Sequence, residues 1–410
     1  MRKLRLRNRV GLGGLMALLL ALSAPAFAQT PTAVKAEETP VVYTSADDGE
    51  VKLGRENAEA NDKQVKLVTD AAVVERVDRI GQELAAVANR LAIPALWGSS
   101  QLKPFHYTFK VVDDKDVNAY SLPGGFIYVN KGLLDAVRSD DELAGVLAHE
   151  IGHDAHHHMV KLIHENNKLN KFLAPLTLLA LGAMIGAGGQ TAVDASNLIY
   201  ASQLYSIARI NSYGVDAEKD ADHTGLLLMT HTHYNPVGLY SFMIRLAALE
   251  RGQGNVDLGI YRTHPPAAER VEAAKSLLNE LKIPIHLSEV DPTLQLQISA
   301  VVPDKSGMGA GLEEIKMRDV VLCRVAASES QTAEARARQI AQRMDVLLDA
   351  QLQPFDIGVN REKTAVYAHG QVILTEKDAL AQNMTIDELK RSLSEAVARI
   401  RQKRVMESRQ

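Results

Sequence analysis

The tightest constraint on this chain is the pentapeptide His149-Glu150-Ile151-Gly152-His153, because the chemistry it encodes exists only on a helix. Side chains four apart share one helical face, so the two imidazoles stand a turn apart and can reach a single tetrahedral ion. Glu150 then faces an ion-bound water, whose pKa a zinc site lowers to roughly 7. The flanks favour that helix. Ser139-Asp140-Asp141-Glu142 has the form of a capping box, and Leu143, Val146, Leu147 and Ile151 supply an apolar stripe. The spacing predicts an amphipathic, half-buried helix carrying a peptidase-type metal centre.

A catalytic zinc takes three protein ligands and leaves one position for water, so another donor must come from elsewhere. A third histidine six residues after His153 would fit one common pattern, but that position is Met159. Asp216, Glu218, Asp220 and Asp222 instead crowd the start of a second helical pattern running through Leu226, Leu227, Leu228 and Met229. Glu218 and Asp222 fall on one face there. That makes Glu218 the candidate ligand and Asp222 the candidate acceptor for a ligand histidine's second N–H. A solvated acidic helix start, favoured by the helix dipole, is the plain alternative.

Upstream, apolar positions recur at helical spacing from Ala71 to Leu91, and Phe105 to Val112 alternates in strand fashion. Pro123-Gly124-Gly125 marks a turn into a strand over Phe126-Val129. An edge strand beside a peptidase metal binds substrate backbone without demanding particular side chains. The segment Asn118 to Val129 is the candidate, with Asn118, Ala119, Gly124 and Gly125 as its substrate-contacting residues. The pattern alone suits an ordinary sheet strand equally well.

The 410 residues are 46% hydrophobic and 23% charged, an ordinary globular composition with room for two domains. At the N-terminus, Arg2, Lys3, Arg5, Arg7 and Arg9 precede an apolar run from Val10 to Ala21 and then Ala26-Phe27-Ala28. Residues 1–28 therefore read as a secretory signal peptide, with 29–50 as an exposed linker. Export to the periplasm is the expectation. What remains is mildly acidic, without a nucleic-acid footprint. Cys323 is the only cysteine, which excludes an internal disulfide and a cysteine-rich zinc site; in the run Val320–Val325 it reads as a buried strand residue. Residues 172–189 are uncharged and contain Pro175 and four glycines. Three readings stay open for them: a membrane span, a buried core helix, or a hydrophobic flap at the membrane surface or active site.

In order along the chain, these motifs resemble the CAAX-prenyl-protease and HtpX-like zinc peptidases of glutamate-ligated type, most closely their secreted bacterial BepA-like branch. The matching segments are Asn118-Ala119 through Pro123-Gly124-Gly125, Leu147-Ala148-His149-Glu150-Ile151-Gly152-His153, Glu218-x-x-x-Asp222, and Thr263-His264-Pro265-Pro266 with Arg270. They span about residues 50 to 285. The resemblance implies one Zn²⁺ per chain on His149, His153 and Glu218, with Glu150 as general base and Asp222 supporting a ligand. It places His264 near the metal, either stabilising the oxyanion or closing the open position. It also implies protein or peptide substrates and a role in envelope protein quality control. A latent, zinc-bearing chaperone-like or partner-binding protein is the alternative. One departure is Gly214-Val215, where the family often has Ser-Arg; it unsettles local substrate contacts but not Glu218. His156, His157, His158 and His164 read as exposed or supporting residues rather than a second metal site.

Beyond about residue 318 the pattern becomes strand 320–325, helix 332–348, strand 355–359, strand 364–374 and helix 386–401. No 34-residue helical repeat is present to suggest a partner-binding array. The expected fold is α+β: a mainly helical zincin-type domain with a small sheet over 51–288, a linker over 289–317, and a small β-α-β-β-α domain over 318–410. This last domain shows no catalytic constellation and reads as an interaction or regulatory module of unknown partner.

Overall fold

The computed structural model describes residues 40–170, 214–253, 259–264, 268–305 and 307–406. Residues 1–28, expected as a signal peptide, the first half of the expected 29–50 linker and the 172–189 segment lie outside them. Among the described residues no helix is long and apolar enough to cross a membrane.

Two helices, α1 (Gly49–Asp62) and α2 (Ala71–Ala88), precede a three-stranded sheet of β1 (Thr108–Val112), β2 (Ala119–Leu122) and β3 (Phe126–Asn130). Asp70 caps α2 by accepting from the N–H groups of Ala72 and Val73. Val77, Ile80, Leu84 and Ala88 then recur at helical spacing and are all buried. The sheet order is β1-β3-β2, with β1 parallel and β2 antiparallel to β3. The hairpin β2–β3 turns at Pro123-Gly124-Gly125, which leaves β2 as an edge strand beside the central helix.

A short α3 (Lys131–Ala136) leads to that helix, α4 (Asp140–Ala155), followed by α5 (His158–Asn170), α6 (Val215–Met229), α7 (Val237–Gln253), the single turn α8 (Gly259–Thr263), α9 (Ala268–Glu280) and α10 (Leu287–Val290). Packing overrides the expectation of a half-buried α4. Every residue from Glu142 to Asp154 is buried, because α6, α7, α2 and β2 surround it. Small residues opposite the apolar stripe permit this. A Cβ added to Gly152 would lie 3.0 Å from the Ala221 carbonyl oxygen, and one on Gly225 3.1 Å from the His149 nitrogen. The α4 and α6 backbones therefore approach without intervening side chains, which brings their functional faces together.

Only half of the expected capping box forms. Ser139 Oγ accepts from the Glu142 N–H at 3.2 Å, but Glu142 accepts from the Arg138 N–H at 2.8 Å instead of returning to Ser139. That same oxygen pairs with Arg245 of α7, and the other accepts from Ser241 at 2.8 Å. Buried as it is, Glu142 needs those partners.

The stretch expected as a linker over 289–317 carries β4 (Gln297–Ala300) and β5 (Glu313–Met317), which join β6 (Val320–Val325) in an antiparallel sheet of order β4-β5-β6. Beyond it lie α11 (Ala333–Asp349), β7 (Ile357–Val359), β8 (Ala365–Ala368), β9 (Gln371–Thr375), α12 (Glu376–Leu380) and α13 (Ile386–Met406). The single strand expected over 364–374 is a hairpin, β8 pairing antiparallel with β9 around His369-Gly370. Cys323 is buried in β6. One apolar core runs from Leu84 and Leu147 through Leu239 and Val290 to Leu322 and Val397, and α13 packs on α7 as well as on β6.

Candidate metal centre

The last turns of α4 and the first turns of α6 meet face to face, and His264, the residue after α8, lies against them. This brings His149, His153, Glu218 and His264 together, all buried, each offering a donor atom within 4.8 Å of the others. His149 Nε2 and His153 Nε2 face each other at 3.0 Å, and each lies 3.5 Å from the Glu218 carboxylate. His264 Nδ1 is 3.0 Å from Glu218 Oε1 and 3.2 Å from His149 Nε2. Its Nε2 lies 3.2 Å from Glu150 Oε1.

Behind this group, His149 Nδ1 meets Asp222 Oδ1 at 2.8 Å, the contact that commits the opposite nitrogen of a ligand histidine to an ion. Arg270 of α9 reaches both acids of α6: its Nη1 is 2.7 Å from Glu218 Oε2, and its Nε is 2.8 Å from Asp222 Oδ2. Sequence reasoning saw Arg270 only as part of a motif and gave it no role. A lone cation in the apolar-spaced pattern Val271, Ala274, Leu278 was the available signal.

Burial would raise the Glu218 carboxyl, but the charges of His264 and Arg270 outweigh it and hold the pKa well below the usual range. Asp222 is lowered in the same way by Arg270. Burial pushes His153 well below an ordinary histidine, which favours the neutral imidazole a metal ligand must be. Burial would also lower His264, but Glu218 and Glu150 carry it up to about 9.

The donor set fits a divalent ion. Two imidazole nitrogens and a carboxylate converge, with Asp222 and Arg270 orienting them from behind. Buried Glu150, Glu218 and Asp222 outnumber the Arg270 guanidinium and the His264 imidazole that face them, an excess of negative charge that favours a bound cation. Glu150 Oε2 is buried and without a hydrogen-bond partner among the described residues, a position suited to a water that gives up its proton. Alongside is an open pocket of about 480 Å³, counting the solvent space at its mouth, lined mainly by Val146, Leu239, Phe242, Met243, Leu246 and Val271, with Glu150 and His264 also on its wall.

The expected substrate strand divides. Asn118 and Ala119 lie at the start of the edge strand, where Thr263 Oγ1 donates to Asn118 Oδ1 at 3.0 Å and ties it to the residue before His264. The Ile260 N–H donates to the Val117 carbonyl at 3.0 Å, so α8 is fastened to the same edge. Gly124 and Gly125 are not brought to this group. They pack under α1 and the preceding loop, against Val51 and against Phe105 and Tyr107.

Two helices that set a pair of histidines, a glutamate and an adjoining acid around one point define a metallopeptidase centre of the glutamate-ligated class. Residues 75–278 match the sequence model of peptidase family M48. The chain is 30% identical to the metalloprotease YcaL of Escherichia coli (strain K12) over 216 residues, 52% of this chain and 76% of that protein. The chain belongs to peptidase family M48. It is also similar to the beta-barrel assembly-enhancing protease of Yersinia pestis, 26% identical over 277 residues, 65% of this chain and 53% of that one. The putative beta-barrel assembly-enhancing protease of Vibrio cholerae is 26% identical over 227 residues, 54% of this chain and 43% of that one. The chain thus spans about half the length of these two relatives. The resemblance to the BepA-like branch is borne out. Residues 316–403 match a domain of unknown function, DUF8459.

Proposed function

We propose that this protein is a periplasmic zinc-dependent endopeptidase that cleaves protein substrates in envelope protein quality control. The observation that carries this reading is the convergence of His149, His153 and Glu218, with Glu150 alongside. Those three residues would hold one Zn²⁺, which when bound supplies a Lewis acid and a water of lowered pKa. Glu150 takes the proton of the attacking water and returns it to the leaving amine. Asp222 holds His149 in the tautomer that leaves Nε2 free, and Arg270 fixes both α6 acids. An extended substrate adds to the edge at Asn118 and Ala119, and the apolar cavity takes a large apolar side chain next to the scissile bond.

His264 touches His149, Glu218 and Glu150 at once, which supports its closing the fourth position in the resting protein. This contact also gives the latent, partner-binding reading its one observation. The retained Glu150 and the named activities of the relatives favour hydrolysis. Periplasmic placement rests on residues 1–28, and residues 172–189 are the candidate membrane-surface contact. The C-terminal module is an interaction or regulatory element.

Metal analysis and casein cleavage by the purified wild type and a Glu150→Gln variant test the proposal. One zinc per chain in both proteins, with cleavage only in the wild type, is expected. Unchanged cleavage by the variant would sink the mechanism.

A further inference from the structure

The centre leaves a second cluster unexplained. His156 Nδ1, His158 Nε2 and a carboxylate oxygen of Asp220 are buried together and close enough to hold an ion of their own. Proton positions decide between an ion and hydrogen bonds, on an argument that rests on the proposed zinc centre. A His153 that presents the Nε2 lone pair to zinc carries its proton on Nδ1. That atom lies 2.9 Å from His158 Nδ1, which must therefore be the acceptor. His158 then bears its own proton on Nε2, where two acceptors stand ready: Asp220 Oδ2 at 2.8 Å and the Trp97 carbonyl at 2.9 Å. A protonated ring nitrogen cannot bind a metal.

We propose that His158, oriented by Asp220, is a positioning residue that holds His153 in its zinc-binding tautomer, and that the cluster is a hydrogen-bonded relay rather than a second metal site. Each ligand histidine is then backed by an α6 aspartate, His149 directly by Asp222 and His153 through a second imidazole by Asp220.

The surrounding chain is built to hold this relay. The Leu96 N–H donates to Asp220 Oδ1 at 2.6 Å, and His156 Nε2 lies 3.0 Å from the Ile93 carbonyl. His157 turns the chain in the left-handed region, at φ 54°, and so returns His158 over His153. Gly98 is at φ +104°, and an added Cβ there would come 2.4 Å from the His156 carbonyl oxygen and 2.7 Å from the His158 ring. Only glycine lets the 95–99 loop close on the imidazole.

The test compares wild type, His158→Leu and His158→Asn in the full chain, with Zn²⁺ affinity measured by chelator competition. Leucine removes the acceptor, whereas asparagine keeps an oxygen near the Nδ1 position. His158→Leu is expected to bind Zn²⁺ about 10–100-fold more weakly, and His158→Asn to recover most of that loss. Histidine ¹⁵N spectra of the metal-free wild type should show the His153 proton on Nδ1, a readout that a merely structural role would not set. Unweakened binding by a folded His158→Leu, an asparagine variant no better than leucine, or a His153 proton on Nε2 overturns the proposal. So does a second zinc equivalent that His156→Ala abolishes. A wild type that binds no Zn²⁺ overturns the metal centre as well, and is distinguished by failing before any variant is compared.

Discussion

Arg270 and Asp222 meet through two parallel contacts, Nε to Oδ2 and Nη2 to Oδ1, both at 2.8 Å and both buried. A planar fork is needed to fill both oxygens, so Arg270→Lys should not substitute for it. Removing one member of a buried pair costs about 3–5 kcal/mol. Urea unfolding of Arg270→Leu should show a loss of that order together with reduced zinc content. A variant with wild-type stability and metal content would show that the pair does not organise the centre.

Glu150 lies beside the candidate metal-ligand group, and His264 Nε2 is 3.2 Å from its Oε1. Glu150→Gln should keep its zinc while peptide cleavage falls by about 10²–10⁴-fold, the usual worth of a general base. Metal analysis run beside a fluorogenic peptide assay checks both halves.

On the proposal that His264 closes the centre, His264→Ala should raise cleavage of a short peptide. The backbone that carries it is tied to Val117 and Asn118 through Ile260 and Thr263. Lower cleavage by the variant would assign His264 to stabilising the transition state.

The turn between α4 and α5 is tied to the start of α1. His157 Nδ1 lies 2.9 Å from Glu50 Oε1. Burial alone would lower the His157 pKa, but the Glu50 carboxylate raises it above the ordinary value. A histidine whose pKa rises on folding contributes stability fully below its unfolded pKa, about 6.5, and loses it as pH climbs through the folded value. The stability gap between wild type and His157→Gln should therefore be wider at pH 5.5 than at pH 9, as thermal unfolding would record. A gap that widens with rising pH contradicts the assignment.

The cavity beside Glu150 makes a prediction about substrate choice. Val271→Phe should fill part of it and lower kcat/KM for peptides with large apolar residues more than for those with alanine there. Equal loss across a peptide series would remove the cavity from substrate recognition.

What could be read from the sequence was local. The spacing of His149 and His153, and of Glu218 and Asp222, is helix geometry, and each pair stays on one face. The burial of α4 on all sides was less legible, because Ala144, Gly145, Ala148 and Gly152 look like the weak side of an amphipathic pattern. In fact they are where neighbouring helices approach closely. The β8–β9 hairpin was hidden because residues on both sides of His369-Gly370 are strand formers. The Asp220–His158–His153 connection depends on a left-handed residue and on a loop some sixty residues upstream, and no local pattern records that.

The core shared by the peptidase elements and the C-terminal sheets carries a consequence for how this protein could be cut down. Val290, Leu294, Leu322 and Val397 belong to the same apolar cluster as Leu147 and Leu239, and Arg138 at the head of α4 is paired with buried Asp291. A shortened chain ending before β4 would uncover the flank of α7 and α10, and the injury would reach the helix that carries both histidines. The C-terminal helices α11 and α13, which meet α10 and α7, are in this sense a wall of the peptidase.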